Sequence, residues 1–382
     1  MFASSIFVLF VLQLAAVQGH GASHTPSSQR GRIDTHTHFV PPFWREESIK
    51  YGYGKPDGMP GIPVSIFSRH THMLLSAENK AWIQAWSEDA HLAMMAKAKI
   101  DKAILSITSP GTHLVPGDVK LGRNLTRRCN EFAADLKKRH PSKFGFWASL
   151  PLPDVEGSLR EIEYAFDTLN ADGVAVMTNA HGVYLGDPVL EPVFKALDKR
   201  KATIFVHPTS PCMGNGTMAR PAAALPQYPN PMFEFLFDTS RAVVNLFVSG
   251  TMQRIPNVTF ILSHAGGAIT PLVARFTAFA NILLGKPLQL DSVKETLRSQ
   301  FYFDLAGFAF PDQIHGLLPY VNASRLTYGS DYPYTAEASV LDLVKVMDEE
   351  IPNVFRGCAA KKDIYWENAL GILRGRASGG HH

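Results

Sequence analysis

Beyond Arg30 the chain alternates short runs rich in Val, Ile and Phe with longer amphipathic stretches, and it does so eight times. The strand-like runs are Arg32 to His36, Lys102 to Ile107, Phe144 to Leu150, Gly173 to Met177, Thr203 to His207, Val258 to His264, Phe301 to Leu305 and Leu326 to Asp331. The intervals carry helical spacing, as in Ser87 to Lys99, Leu121 to Arg139, Glu156 to Leu169 and Phe233 to Arg254. This is the pattern of βα units around a parallel sheet. Eight alternations over about 340 residues predict an α/β fold, a (β/α)8 TIM barrel with loop insertions over its C-terminal face, rather than a doubly wound open sheet. The two insertions are Phe39 to Ala81 and Pro208 to Pro231, both rich in Pro and Gly. Long loops of this kind tend to be functional, and each follows a histidine at a strand end.

Polar motifs close four of the runs: Asp34-Thr35-His36-Thr37-His38, Val206-His207-Pro208, Ser263-His264-Ala265-Gly266-Gly267 and Gly329-Ser330-Asp331-Tyr332-Pro333. In a barrel the C-terminal strand ends converge on one face, so residues this far apart in sequence can share one ion. Taken singly, a histidine at a strand end is more often a hydrogen-bonded structural residue than a ligand. Five positions in register, His36, His38, His207, His264 and Asp331, predict a divalent-metal site suited to Zn²⁺, Mn²⁺ or Fe²⁺. Asp34 and Asp304 each sit inside a strand run, where a carboxylate can orient a ligand imidazole or satisfy backbone donors; for Asp304 the structural role is the favoured expectation. His91, His113, His140, His181 and His315 read as surface or packing residues.

The first residues set the expected compartment. Ile6 to Val17 is an apolar run of signal-peptide length, too short to span a bilayer. The expected division is a signal peptide at 1–19, a flexible segment at 20–29, the barrel at 30–376 and a flexible tail at 377–382. Localisation is then secretory or extracellular, and cytoplasmic if the leader is not a signal. Four N-glycosylation sequons, at Asn124, Asn215, Asn257 and Asn322, matter only in the first case. Three cysteines at irregular spacing form no disulfide framework. A net charge of +3 with no block of like charges excludes nucleic acid as an expected partner, and no membrane span is predicted.

The ordered motif set resembles the amidohydrolase superfamily, and within it the branch of aminocarboxymuconate-semialdehyde decarboxylase and related decarboxylases of hydroxylated aromatic acids. The resemblance runs from Arg30 to about Gly375 and includes Gly186-Asp187-Pro188 and Phe205-Val206-His207-Pro208. It implies His36, His38, His207 and Asp331 as metal ligands, with Zn²⁺ expected and Mn²⁺ the alternative. It implies His264 as a catalytic histidine and Asp331 as a second catalytic candidate. Arg275, eleven positions after His264, matches an arginine that reaches a neighbouring subunit's site to bind carboxylate, which implies a homodimer. Binuclear members carry a modified lysine on the fourth strand, and Gly173-Val174-Ala175-Val176-Met177 has none, so one ion is expected.

Thr209 stands where the semialdehyde decarboxylases have a tryptophan, which turns the expected substrate toward a salicylate-like acid. Within the branch, the His-x-His first motif resembles that of the fungal 6-methylsalicylate decarboxylases. The implied reaction is non-oxidative decarboxylation of a small aromatic carboxylic acid, 6-methylsalicylate to m-cresol and CO2, in polyketide secondary metabolism. Tyr334 and Arg69 are expected to bind substrate, and Phe39 and Trp44 either wall the slot or pack the loop. The alternative is a metal-dependent hydrolase, a lactonase or amidohydrolase, with an activated water and His264 as base.

Overall fold

The computed structural model describes residues 31–53, 86–214, 220–222, 225, 227–285, 287–357 and 359–377. The leader, Arg69, Asn215 and Cys358 lie outside the described residues. Eight strands form one parallel sheet: β1 (Arg32–His38), β2 (Ile100–Ser106), β3 (Phe144–Ser149), β4 (Gly173–Met177), β5 (Thr203–His207), β6 (Thr259–Leu262), β7 (Phe301–Asp304) and β8 (Leu326–Thr327). Neighbours in sequence are neighbours in space. The barrel closes through a parallel bridge between Asp34 and Tyr328, with the Thr35 amide donating to the Tyr328 carbonyl at 3.0 Å. The expected (β/α)8 barrel is the observed fold.

Strand alternation places one layer inside the barrel. Ile33, Ile104, Trp147, Ala175, Phe205 and Ile261, one from each of six strands, form a single cluster with Ala369 and Ile372 of the C-terminal helix Asn368–Ala377. Their neighbours Ala103, Phe146, Val174, Ile204 and Phe260 face outward into the larger core under the helices. Arg32 anchors the start of β1: its guanidinium donates to the Ala98 carbonyl at 2.8 Å, pairs with Asp348 at 3.0 Å and lies over the Tyr365 ring at 4.3 Å.

Two elements differ from expectation. The first insertion opens with a helix, Pro42–Lys50, in which Trp44 is buried, and a helix at Leu290–Gln300 lies between β6 and β7. The second buries Val293 and Leu297, an i, i+4 pair too short to stand out in a polar stretch. Residues 264–284 are apolar and long enough to cross a membrane by composition alone, but their helical part, Val273–Leu284, turns Val273, Thr277 and Ala280 inward on the barrel.

His91 is fully buried on the helix Glu88–Lys97, so its packing role holds and its surface role does not. Trp86 Nε1 donates to His91 Nδ1 at 2.9 Å, and Thr37 Oγ1 lies 3.3 Å from Nε2, so the neutral ring is satisfied on both sides. Burial, and then the nearby His38, push its pKa down to about 3 from 6.5. Because the folded value lies below the unfolded one, this contribution to stability is complete above pH 6.5 and is lost as pH falls toward 3. We expect the unfolding free energy of the wild type to fall more steeply below pH 6.5 than that of His91→Phe, by up to about 1.4 kcal/mol per pH unit. Urea unfolding between pH 7.5 and 4.5 measures the difference, and parallel slopes would refute it.

Candidate active site

At the C-terminal end of the barrel the first strand breaks its alternation. Asp34 pairs with Ala103 and Thr37 with Leu105, so β1 spends three steps against two of β2. This one-residue bulge inverts the parity of the strand. Ile33 and Thr35 face inside, Thr35 Oγ1 meeting Thr327 Oγ1 at 2.9 Å, while Thr37 faces outward to His91. His36 and His38 are thereby turned into the barrel, and being two apart they share a face. His207 ends β5 on the inward face that Phe205 begins.

The ligand atoms of His36, His38, His207 and Asp331 all lie within 4.8 Å of one another. Their Nδ1 atoms are taken by acceptors. His36 Nδ1 is 3.0 Å from Asp304 Oδ2, His38 Nδ1 is 3.3 Å from the Ser106 carbonyl and 3.0 Å from its hydroxyl, and His207 Nδ1 is 2.7 Å from the Pro208 carbonyl. A proton on each Nδ1 leaves the Nε2 lone pair aimed at the centre. His36 and His38 Nε2 stand 3.4 and 3.2 Å from Asp331 Oδ1, buried and without a hydrogen-bond partner. Lone pairs and a carboxylate oxygen meeting in a buried space call for a cation, and three imidazoles with one carboxylate fit a divalent metal ion.

Burial lowers the pKa of His36, but Asp304 and Asp331 outweigh it and push the value up to about 10, so the two carboxylates favour positive charge at this position, carried either by a protonated ring or by a cation that the neutral ring binds. Burial, then the neighbouring rings, keep His38 below and His207 well below the ordinary histidine range, the neutral state a ligand needs. Burial raises Asp331, yet the close approach of the His36 and His38 rings, with charge from His36 and His264, holds it well below the usual carboxylate range.

Asp331 and His264 reach the centre through left-handed backbone, at φ 56° and 52°. Four consecutive residues, His264 to Gly267, have positive φ. For His264 and Ala265 this costs on the order of 1 kcal/mol each. Gly329 precedes Asp331 because a Cβ there would stand 2.8 Å from that of His36. The His264 ring centroid is 4.9 Å from His36, its Nδ1 is 3.3 Å from the Ala306 carbonyl, and burial lowers its pKa. His36, His38 and His207 are at most 2% exposed, whereas His264 is half-buried and the Asp331 side chain is 19% exposed.

Of the two carboxylates that could orient a ligand, Asp304 does so. Its Oδ2 faces His36 Nδ1, while Oδ1 accepts the His264 amide at 3.1 Å and the Ala306 amide at 3.0 Å. Asp34 instead accepts the backbone amides of His36 and Ser330, both at 3.1 Å. The sequence leaves both roles open for Asp34 and favours the structural one for Asp304; the fold gives Asp304 both, and the bulge turns Asp34 away from the cluster. Although His36, His264 and Asp304 also lie within 4.8 Å, Asp304 is spent on these three bonds.

Over the ends of β2 to β5 lies a cavity of about 310 Å³, whose lining reaches Met177 and Thr209 next to His207 but includes none of the five cluster residues. Ser149, Met177, His181, Thr209 and Tyr53 are among its lining residues. Met177 is the register partner of His207, and the Thr209 hydroxyl bonds Ser109 at 2.5 Å. From sequence His181 reads as a surface or packing residue and Ser149 is not picked out, since neither sits in a motif. Tyr334 meets His38 edge-on at 5.4 Å between centroids. Phe39 and Trp44 are buried packing residues: Phe39 stacks on Phe132 at 6.0 Å, and Trp44 Nε1 donates to the Gly111 carbonyl at 2.9 Å. Arg275 is exposed, with its guanidinium 4.7 Å from the Phe279 ring, and stands apart from the cluster.

The family model described as amidohydrolase matches residues 33–375, and the chain belongs to that family. It is 32% identical to the decarboxylase macB of Penicillium terrestre, over 86% of this chain and 94% of that one. It is also 32% identical to a 6-methylsalicylic acid decarboxylase of Penicillium expansum, over 84% and 91%. Among solved structures, the dihydroxybenzoic acid decarboxylase of Polaromonas sp. JS666, crystallised with manganese and 2-nitroresorcinol, matches with a TM-score of 0.71 at 18% identity, over 92% of this chain and 100% of that one. The branch and the carboxy-lyase class expected from the motifs agree with these relatives.

Because Asp304 both orients His36 and carries the His264 turn, Asp304→Asn is expected to lower divalent-metal affinity by about 10- to 100-fold. Metal content after dialysis against graded chelator measures this, and wild-type retention of the ion would refute it.

Proposed function

We propose that the chain is a metal-dependent non-oxidative decarboxylase of a hydroxylated aromatic acid, with 6-methylsalicylate, giving m-cresol and CO2, as its substrate. The observation that carries this reading is the division of the cluster into three buried imidazoles aimed at one point and two partly exposed groups, Asp331 and His264. His36, His38, His207 and Asp331 are the proposed ligands of one ion, Zn²⁺ or Mn²⁺. A divalent ion held there supplies Lewis acidity toward the carboxylate and ortho-hydroxyl oxygens of the acid. A single ion is favoured because the inward residues of β4 are Ala175 and Met177, which offer nothing to bridge a second.

Decarboxylation breaks the bond between the ring carbon and the carboxylate, leaves its electron pair on the ring and requires a proton at that carbon. His264 and Asp331 are the groups proposed to move that proton, since they alone among the five are not fully buried. His264 is held by its backbone and by the Ala306 carbonyl, so its free Nε2 is the atom available for transfer. The cavity is proposed to take the ring, with Thr209 and Met177 against it, and Tyr334, packed on His38, is the proposed contact on the cluster side.

Hydroxybenzoic acids are expected to release CO2 with the metal-replete protein, 6-methylsalicylate foremost. Chelation should abolish turnover, and Mn²⁺ or Zn²⁺ should restore it. His264→Asn and Asp331→Asn should each lower kcat by at least about 100-fold, with metal content retained in the first and lost in the second. Turnover of a lactone or amide without CO2 release would replace this reading with the hydrolase.

The exposed face of the helix Val273–Leu284 supports a homodimer. Ile282, Leu283 and Leu284 are 76, 66 and 57% exposed beside Phe279 and Arg275. Arg275 is proposed to reach a partner's site and bind the substrate carboxylate. Arg275→Ala should raise KM about tenfold or more with little change in metal content, and a monomer in sedimentation with an unchanged KM would refute it.

A further inference from the structure

The turn that delivers His264 is a single 3-10 turn of positive-φ backbone, closed by the Gly266 amide to the Ser263 carbonyl and the Gly267 amide to the His264 carbonyl, both at 3.0 Å. These bonds leave the second lone pair of the His264 carbonyl, and the Gly267 carbonyl, to a donor from elsewhere in the chain. One side chain takes both: Gln313 Nε2 donates to the His264 carbonyl at 2.7 Å and to the Gly267 carbonyl at 3.0 Å. Both partners can only accept, so the orientation of the amide is fixed by chemistry. Meanwhile the His264 amide donates to Asp304 Oδ1 at 3.1 Å. The peptide groups on both sides of the His264 α-carbon are therefore clamped by side chains, one at the end of β7 and one from the segment that follows it.

We infer that Gln313 is a positioning residue that sets the His264 imidazole by spanning the two ends of the left-handed turn. Gln313 is outside the clusters that can hold the ion, so its loss leaves the proposed ligands in place. It is half-buried, at the end of the turn Ala309–Gln313, and its role needs the donor at full side-chain reach. A misplacement on the order of 1 Å in a proton-transferring group can cost about 100-fold in rate. The expected signature is a fall in kcat without a matching change in KM or metal content.

This inference rests on the proposed role of His264, and the experiment separates the two. Gln313→Lys keeps a donor of similar length, whereas Gln313→Glu and Gln313→Met do not. We expect Gln313→Lys to exceed Gln313→Glu and Gln313→Met in kcat by about tenfold, with all three retaining wild-type metal content. Adding Gln313→Met to His264→Asn should lower kcat no further. Equal kcat in the Lys, Glu and Met variants, or a multiplicative loss in the double variant, would overturn the role of Gln313 while leaving that of His264 intact. Near-wild-type turnover in His264→Asn would instead remove the proposed role of His264, and this inference with it.

Discussion

The Asp304 carboxylate, fully buried between β7 and the metal cluster, is the interaction on which the site depends. An ionised carboxylate survives such burial only when its oxygens are well supplied with donors. Here the donors are the His36 ring and the backbone amides of His264 and Ala306. One group therefore fixes the tautomer of a proposed ligand and the backbone of a proposed acid/base residue. That coupling explains how a strained turn can hold His264 in register with His36 at 4.9 Å.

The bulge in β1 is the second requirement. A regular strand starting with Ile33 inside would send Thr35 and Thr37 inward and both histidines out toward the helices. One extra residue reverses this above Thr35, so the lower strand serves the apolar interior and the upper strand serves the cluster. β1 then closes the barrel against the segment that carries Asp331: the amides of Ser330 and Asp331 donate to the His36 carbonyl at 3.1 and 2.8 Å. Barrel closure and assembly of the cluster are the same set of hydrogen bonds.

Much of this was legible in the sequence, for a physical reason. Strands buried on both faces must be apolar, so the first polar residue after such a run marks a strand end, and in a barrel the strand ends meet. His207 and Asp331 stand out in this way. Two things were not legible. The bulge depends on register with β2, about 68 residues distant, which no local pattern encodes. Gln313 acts on carbonyls 46 and 49 residues away, and a side chain that bonds backbone leaves no signature in the residue types it touches. The strand expected at Leu326 to Asp331 is shorter in the fold, because beyond Thr327 the chain meets β1 through an isolated bridge and then turns left-handed at Asp331.

Buried polarity alone does not mark a site, and the same barrel supplies the contrast. Asp238 is as buried as Asp304, but its oxygens accept from Thr178, from Asn179 at 3.0 Å and from Tyr184 at 2.5 Å. Every donor in that network points at an acceptor, so it ties the end of β4 to the helix Glu234–Val248 and asks for nothing more. The cluster at the barrel mouth is built from the same kinds of group with the opposite result. Its Nδ1 atoms are satisfied by the chain, and that satisfaction forces the Nε2 lone pairs of His36 and His38 toward an oxygen that can only accept. The fold thus leaves unpaired acceptors converging on one point, and a cation is the partner that completes them.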